Sequence, residues 1–341
     1  KICFGVNGIM SHSNISIFVP HKGCPNDCSF CNQRAISGQT IPATPEDVEK
    51  AVHTALKHNI DPENTEIAFF GGSFTAIERE YMCSLLTAAK HFLDTYNFKG
   101  IRVSTRPDCI DDEVLSVLKN YGVTAIELGA QSMDDEVLSA NRRGHSEDAV
   151  RKASSLIKNY GFELGLQMMT GLYKSDFKKD LQTAREIIKL QPDTVRIYPT
   201  VVLKYTLLGD LYEKGEYKAP TAEESVPLCA ELLQMFKNEG VKVIKLGLHS
   251  SETVEGDMLG GGYHPAFREL CEGYIYLQKI LEKLNGKDKN CSYVIYVRNK
   301  DLSKAKGQQK RNEKALKNKG FYCIIKGKEN LERFEIEVDV E

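Results

Sequence analysis

Long apolar runs are missing from this chain. No stretch approaches the ~18–20 uninterrupted apolar residues that a spanning helix needs, which excludes a helical membrane protein. A dominant charge is missing too: 45 Lys and Arg face 47 Asp and Glu, a formal net charge of −2. Whole-protein electrostatics therefore offer no attraction to a polyanion, and only a local basic patch remains as an argument for nucleic acid. The opening residues, KICFGVNGIMSHSN, have no charged start, apolar run or small-residue cleavage site, so no signal peptide is read there. Met10 is a candidate start, with residues 1–9 as an extension. Low-complexity segments are absent. Tryptophan is absent as well, which excludes nothing. At 41% hydrophobic and 27% charged over 341 residues, the composition excludes wholesale disorder and provides for one large domain or two smaller ones.

Cysteine is plentiful. Of ten, three fall within eight residues, Cys24, Cys28 and Cys31, and seven are scattered singly. A disulfide framework belongs to small secreted domains, so the pattern predicts a reducing, cytoplasmic protein with one localised thiolate site. The single cysteines read as small buried apolar residues.

Short apolar runs bounded by Gly, Pro and polar residues mark strands at Ile15–Val19, Glu66–Phe70, Ile101–Ser104, Thr124–Leu128, Leu164–Met169 and Thr194–Tyr198, with Val241–Leu246 as a candidate seventh. Helices are predicted after Thr44, Asp111, Asp134 and Ser146, and over Lys178–Leu190 and Ala222–Glu239. Acids at their starts and basic residues or Gly at their ends suit caps and the helix dipole. This β/α alternation predicts a parallel sheet with helices outside, as a partial (βα)6 barrel with its site at the carboxyl ends of the strands. Residues 1–285 form that domain. Residues 286–341, after the linker Asn285–Asn290, read as a small basic β-α-β-β unit, its helix drawn through SKAKGQQKRNEKALKNK.

CPNDCSFC, with spacing C-x3-C-x2-C, follows the first strand directly. Thiolates this dense bind zinc or iron–sulfur clusters. Structural zinc wants four ligands. His21 is the only close fourth donor, and no second Cys-x2-Cys knuckle exists. Three thiolates on a four-iron cluster leave one iron open to a cofactor.

The cysteine spacing, with Phe30 before the last cysteine at the head of a β/α series, resembles the radical S-adenosylmethionine (SAM) superfamily. The resemblance implies a 4Fe-4S cluster on Cys24, Cys28 and Cys31, SAM on the open iron, and a 5′-deoxyadenosyl radical that takes hydrogen from the substrate. Further motifs extend it over about residues 14–285: AFFGGSF at 68–74, STRPD at 104–108, ELGAQS at 127–132 and NRRGH at 141–145. They are similar to segments of the Elongator catalytic subunit and of oxygen-independent coproporphyrinogen oxidase. By that resemblance Phe30, Gly71, Gly72, Ser73, Thr105, Gln131, Arg143 and Gln167 face SAM. Ser73 stands where the family has an acid, so its hydroxyl or a backbone carbonyl must meet the ammonium. Arg143 suits a carboxylate, through a bidentate fork.

Substrate contacts are expected from Tyr198, His249, Glu252, His264 and Arg268, with Lys204, Tyr205 and Tyr263 nearby. The remaining chain has no room for an acetyltransferase domain and no cysteines for a second cluster domain. Acetyl transfer and sulfur insertion are therefore disfavoured. The resemblance then implies a lyase acting on a small molecule, with queuine the first choice. Its C–N bond would be cut to give 7-aminomethyl-7-deazaguanine for transfer RNA salvage. An external donor such as flavodoxin or ferredoxin would supply electrons. The alternative is an enzyme modifying RNA-bound substrate. Arg298 to Lys319 holds nine Lys or Arg against Asp301 and Glu313, a net +7, but no aromatics interleave for base stacking. SKAKGQQKRN resembles the glycine loop of KH modules, with one Gly where that loop has two.

Overall fold

The computed structural model describes residues 13–19, 24, 28–32, 41–249 and 252–341, except for the side chains of 252 and 253. Met10, residues 1–9 and His21 lie outside the described residues, as does the side chain of Glu252.

The predicted strands form as β1 (Ser13–Val19), β2 (Thr65–Gly71), β3 (Gly100–Thr105), β4 (Val123–Gln131), β5 (Glu163–Thr170) and β6 (Thr194–Pro199). After a short β7 (Val201–Leu203), the seventh predicted strand is β8 (Lys242–Leu246). Seven of these make one all-parallel sheet in the order β1-β2-β3-β4-β5-β6-β8. Because neighbours in space are neighbours in sequence, each crossover helix lands on the same side. The sheet curls into an open partial barrel. Alternate residues of each strand, such as Ile15, Ile17, Ile67, Phe69, Ile101 and Val103, are buried under the helices. The intervening side chains line the concave face.

The helices are α1 (Pro45–Lys57), α2 (Arg79–Tyr96), α3 (Asp112–Asn120), α4 (Asp135–Ala140), α5 (Glu147–Asn159), α6 (Phe177–Lys189), α7 (Leu207–Glu213), α8 (Ala222–Asn238), α9 (Glu252–Asp257) and α10 (Phe267–Leu284). Their starts obey the predicted capping chemistry. Thr44 with Asp47 and Thr221 with Glu224 form capping boxes, and Asp111, Asp134, Ser146 and Asp176 accept from their N3 amides. Helix α2 was not anticipated. Helix α9 is followed by β9 (Met258–Gly261), which pairs antiparallel with β7.

The last residues build β10 (Ser292–Arg298), α11 (Leu302–Lys306), α12 (Arg311–Asn318), β11 (Tyr322–Lys328) and β12 (Ile336–Val340), with strand order β11-β10-β12. The expected single basic helix is therefore two helices. Gly307, Gln309 and Lys310 take φ of 75°, 51° and 60°, which a continuous helix cannot contain. Ile295, Val297 and Leu316 of this unit join the same apolar core as the barrel.

Candidate functional site

The cysteine loop sits at the carboxyl ends of the strands. Ser29, between Cys28 and Cys31, is fully buried: its N–H donates to Asn141 O at 3.1 Å and its hydroxyl to Asn141 Oδ1 at 2.7 Å. Asn141 Nδ2 donates in turn to Tyr173 O at 2.9 Å, in the loop after β5. On the far side Leu208 N–H donates to Ser29 O at 2.7 Å, and Asn32 Nδ2 to Lys204 O at 3.1 Å. The loop is thus held between the end of α4, the loop after β5 and the start of α7.

Cys24 is exposed, and Cys28 and Cys31 are half-buried. Among the described residues, no three His, Cys, Asp or Glu side chains converge to hold a single metal ion. A cluster that binds each thiolate on a separate iron does not ask them to converge. Loss of hydration and the neighbouring Cys28 push the Cys24 thiol up. A backbone hydrogen bond from Ser73 and the charges of Arg106 and Arg143 oppose this.

Arg143 is buried and aimed into this loop. Its Nη1 donates to Cys28 Sγ at 3.0 Å and its Nη2 to Gly129 O at 2.7 Å, with the guanidinium 5.9 Å from the Phe30 ring centre. A Cβ at Gly129 would lie 3.0 Å from Gln131 Nε2 and 3.2 Å from Arg143 Nη2, so a larger residue there would displace the ends of both side chains. Gln131 takes φ 66°, a strained setting for a non-glycine residue. Three buried atoms here, Gln131 Oε1, Arg143 Nε and His145 Nε2, have no hydrogen-bond partner among the described residues. Each such orphan costs roughly 1–3 kcal/mol, so the trio fits a polar ligand bearing both donors and acceptors. Burial, then Arg143, pushes His145 down to about 4, so it is neutral at pH 7.

The second wall is the end of β2. Gly71 has φ 120°, and a Cβ there would lie 2.9 Å from Val19 O. Gly72 N–H donates to that same carbonyl at 3.0 Å. The hydroxyls of Ser73 and Thr105 are buried 2.8 Å apart, and Ser73 Oγ also accepts from Arg106 N–H at 3.3 Å. They build the wall, and the Ser73 main chain hydrogen-bonds the Cys24 thiol.

Below the mouth, the concave face is polar. Gln167 Nε2 donates to Glu127 Oε2 at 2.9 Å and to Ser104 Oγ at 3.2 Å. Arg196 bridges Glu127 at 2.7 and 2.9 Å and lies 5.0 Å over Phe70. Burial opposes the ionised Glu127, but Arg196, Arg102 and the Gln167 hydrogen bond together hold its carboxyl below the usual range. Arg102, fully buried, ties Glu66, Glu127 and Glu163 into the floor. Half-buried Tyr198 stands beside Arg196, and burial raises its phenol. Neither Glu127 nor Arg196 was singled out from sequence. A single charged residue within each otherwise uncharged strand, Glu127 in β4 and Arg196 in β6, was the available signal.

The remaining sequence candidates separate. His249 is half-buried just past β8. Tyr263 donates to Glu255 Oε1 at 2.7 Å. The Nδ1 of His264 accepts from Ala266 N–H at 3.1 Å. Tyr205 is 87% exposed. The Arg268 guanidinium donates to buried Glu272 at 2.9 Å and to Val243 O at 2.9 Å, tying α10 to the sheet.

With this geometry in hand, comparison with known proteins is specific. A model of the radical SAM superfamily matches residues 18–187, and one of the radical SAM C-terminal domain matches 192–276. The chain is 26% identical over 257 residues to a tRNA uridine(34) acetyltransferase of Methanocaldococcus jannaschii, covering 63% of this chain and 47% of that protein. It is 30% identical over 200 residues to Elongator complex protein 3 of Danio rerio, covering 53% and 36%. A solved structure of archaeal Methanocaldococcus infernus Elp3 superposes with a TM-score of 0.64 at 23% identity, covering 79% of this chain and 63% of that one. The chain thus spans less than half the length of those two curated relatives.

Proposed function

The chain belongs to the radical SAM superfamily, and on that premise we propose that it abstracts hydrogen from a nucleobase carried on transfer RNA. Its cofactors are those of the superfamily, a 4Fe-4S cluster and S-adenosylmethionine. When bound, that pair supplies a 5′-deoxyadenosyl radical able to take hydrogen from an unactivated carbon.

The chain's own residues then have these parts. Cys24, Cys28 and Cys31 hold the cluster. Asn141 and Ser29 keep the thiol-bearing loop in place. Arg143 offers a guanidinium fork to the methionine carboxylate, and Gln131 an amide to the same cofactor. The main chain at Gly71–Gly72 meets the ammonium, since the Ser73 hydroxyl is engaged by Thr105. Gln167, Arg196 and Tyr198 line the concave face on which a substrate base would be oriented, and closure of that face excludes water. A flavodoxin or ferredoxin delivers electrons.

One observation carries the choice of transfer RNA. The chain is 26% and 28% identical to two archaeal proteins named as tRNA uridine(34) acetyltransferases, in matches that cover 63% of its length. The test is anaerobic turnover with reductant, SAM and either transfer RNA or free queuine. Release of 5′-deoxyadenosine dependent on transfer RNA, with a new nucleoside mass in its digest, supports the reading. Queuine loss matched by 7-aminomethyl-7-deazaguanine, with transfer RNA inert, would replace it by the C–N lyase reading.

A further inference from the structure

The unit after Cys291 lies beyond the segments that match the family models, which end at residue 276. Its two helices, α11 and α12, meet at Gly307–Gln308–Gln309–Lys310. That turn is built rather than loose. A Cβ on Gly307 would lie 3.0 Å from Asn312 N. Buried Asn312 donates to Ala305 O at 3.0 Å and to Gly273 O of α10 at 2.7 Å, fastening both helices to the body. Gln309 and Lys310 sit in the left-handed region although neither is glycine, a setting that costs of order 1 kcal/mol or more for each. The result holds Gln308, Gln309, Lys310, Arg311 and Lys314 exposed around one rigid corner.

Charge is concentrated there. Arg298, Lys304 and Arg311 are paired with Asp301, Glu272 and Glu223. Lys306, Lys310 and Lys314 have no ion pair among the described residues, and Lys317 and Lys319 extend the same surface. The placement is also specific. The corner borders a cleft of about 480 Å³ between Gln308, Gln309, Arg311 and Lys314 on one side and Glu223 and His264 on the other. His264 follows β9, where Gly262 N–H donates to Thr200 O at 2.8 Å, and Thr200 N–H donates to Thr170 O at 2.9 Å at the end of β5. The cleft therefore opens on the same carboxyl edge of the sheet as the cysteine loop.

We propose that the Gly307–Lys314 corner clamps the sugar–phosphate backbone of an RNA strand and feeds the adjoining nucleotide toward the barrel mouth. Ammonium groups neutralise phosphates, and the two glutamine amides donate to phosphate oxygens or 2′-hydroxyls. This is backbone positioning, indifferent to sequence, which suits a patch without stacking aromatics. The inference rests on the reading of RNA as substrate.

The test uses the full-length, cluster-loaded chain in anaerobic fluorescence-anisotropy titrations with labelled transfer RNA and a labelled single-stranded oligonucleotide across a salt series. The K306Q/K310Q/K314Q variant is compared with K50Q/K57Q/K152Q, which removes equal charge from α1 and α5. Circular dichroism and iron content establish that both are folded. The clamp variant should bind at least tenfold more weakly, with its log–log salt slope reduced by about 2 for three lost contacts, while the other variant binds as wild type. Equal weakening in both, or none in the clamp variant, overturns the clamp and leaves the RNA reading intact. A wild-type chain that binds neither RNA overturns both.

Discussion

Ser29 and Asn141 lie 112 residues apart in sequence, yet the hydroxyl of one donates to the side-chain carbonyl of the other at 2.7 Å, with both residues fully buried. The amide of Asn141 reaches on to the loop after β5. One side chain thus sets the distance between the thiol-bearing loop and the rim of the sheet. Asn141→Ala should leave the helices folded but release the loop. Losing these bonds costs roughly 1–3 kcal/mol per buried polar group left unpaired. The expected result is several-fold faster loss of iron to a chelator, with a circular dichroism spectrum unchanged from wild type. Unaltered chelation kinetics would remove Asn141 from any positioning role.

How much of this was legible beforehand depends on how each element announces itself. The barrel strands and most helices were readable because Thr, Ser and Asp caps and closing glycines punctuate them. Helix α2 hid because its cap is Glu78, whose carboxylate accepts from the amides of residues 80 and 81, and because it ends on left-handed Asn97 instead of glycine. The β7–β9 pair hid because its strands are short and joined only across more than fifty residues. The break between α11 and α12 hid because two non-glycine residues adopt positive φ. In the site, the cysteines were plain from spacing. Glu127 and Arg196 were not, since a lone charged residue in a strand reads as solvent-facing until the sheet curls around it. Arg268 shows the converse: sequence cannot show that Glu272, one helical turn on, is buried and pairs with it.

Cysteine substitutions test the cluster assignment directly. Cys24→Ala, Cys28→Ala and Cys31→Ala should each abolish iron–sulfur absorbance and SAM cleavage. Cys109→Ala, in a thiol outside the loop, should retain about four irons per chain. Full activity in a zinc-only preparation would sink the assignment.

Arg143 touches both the loop and the β4 rim, through Cys28 and Gly129. Arg143→Lys keeps the charge and loses the fork. Affinity for SAM should fall about tenfold or more, some 1.4 kcal/mol, while iron content stays near wild type. Calorimetric titration of the anaerobic protein reads this. Unchanged affinity would move the carboxylate contact elsewhere.

Buried Asp180 predicts a pH signature. Desolvation raises its carboxyl to about 6, although Ser175 Oγ and Gly171 N–H hydrogen-bond to it at 2.6 and 2.8 Å. The folded state therefore keeps a proton between about pH 4 and 6 that the unfolded state has released. The contribution of this group to stability falls as pH rises through that window and is constant above it. Two units correspond to about 3 kcal/mol. Paired carboxylates such as Glu127 and Asp301 act in the opposite direction, so the measurement is the difference between wild type and Asp180→Asn in urea unfolding. Wild type should gain relative to the variant as pH falls from 6 to 4. A difference independent of pH would show that Asp180 titrates normally.

The sequence suggests that residues 291–341 can be removed without harm to the radical chemistry, because the family motifs end before them. Packing argues otherwise. Glu272 of α10, 1% exposed, binds Lys304 at 2.6 Å and also Arg333, both from the C-terminal unit, besides Arg268. Fully buried Tyr276 donates to Asp301 at 3.0 Å and accepts from Phe334 N–H at 3.1 Å. Truncation strips two of three cations from a buried carboxylate, a loss of about 3–5 kcal/mol in pairs of this kind. It also exposes the apolar side of α10. Against a typical stability of about 5–15 kcal/mol, that is enough to compromise the whole barrel. The chain ending at Asn290 should be largely insoluble or melt well below wild type, and load iron poorly for that reason. Full-length Glu272→Gln, which leaves every apolar contact in place, should show a smaller drop in melting temperature and near-normal iron. A truncated chain with the wild-type melting temperature and full iron would show that the unit is an independent appendage after all.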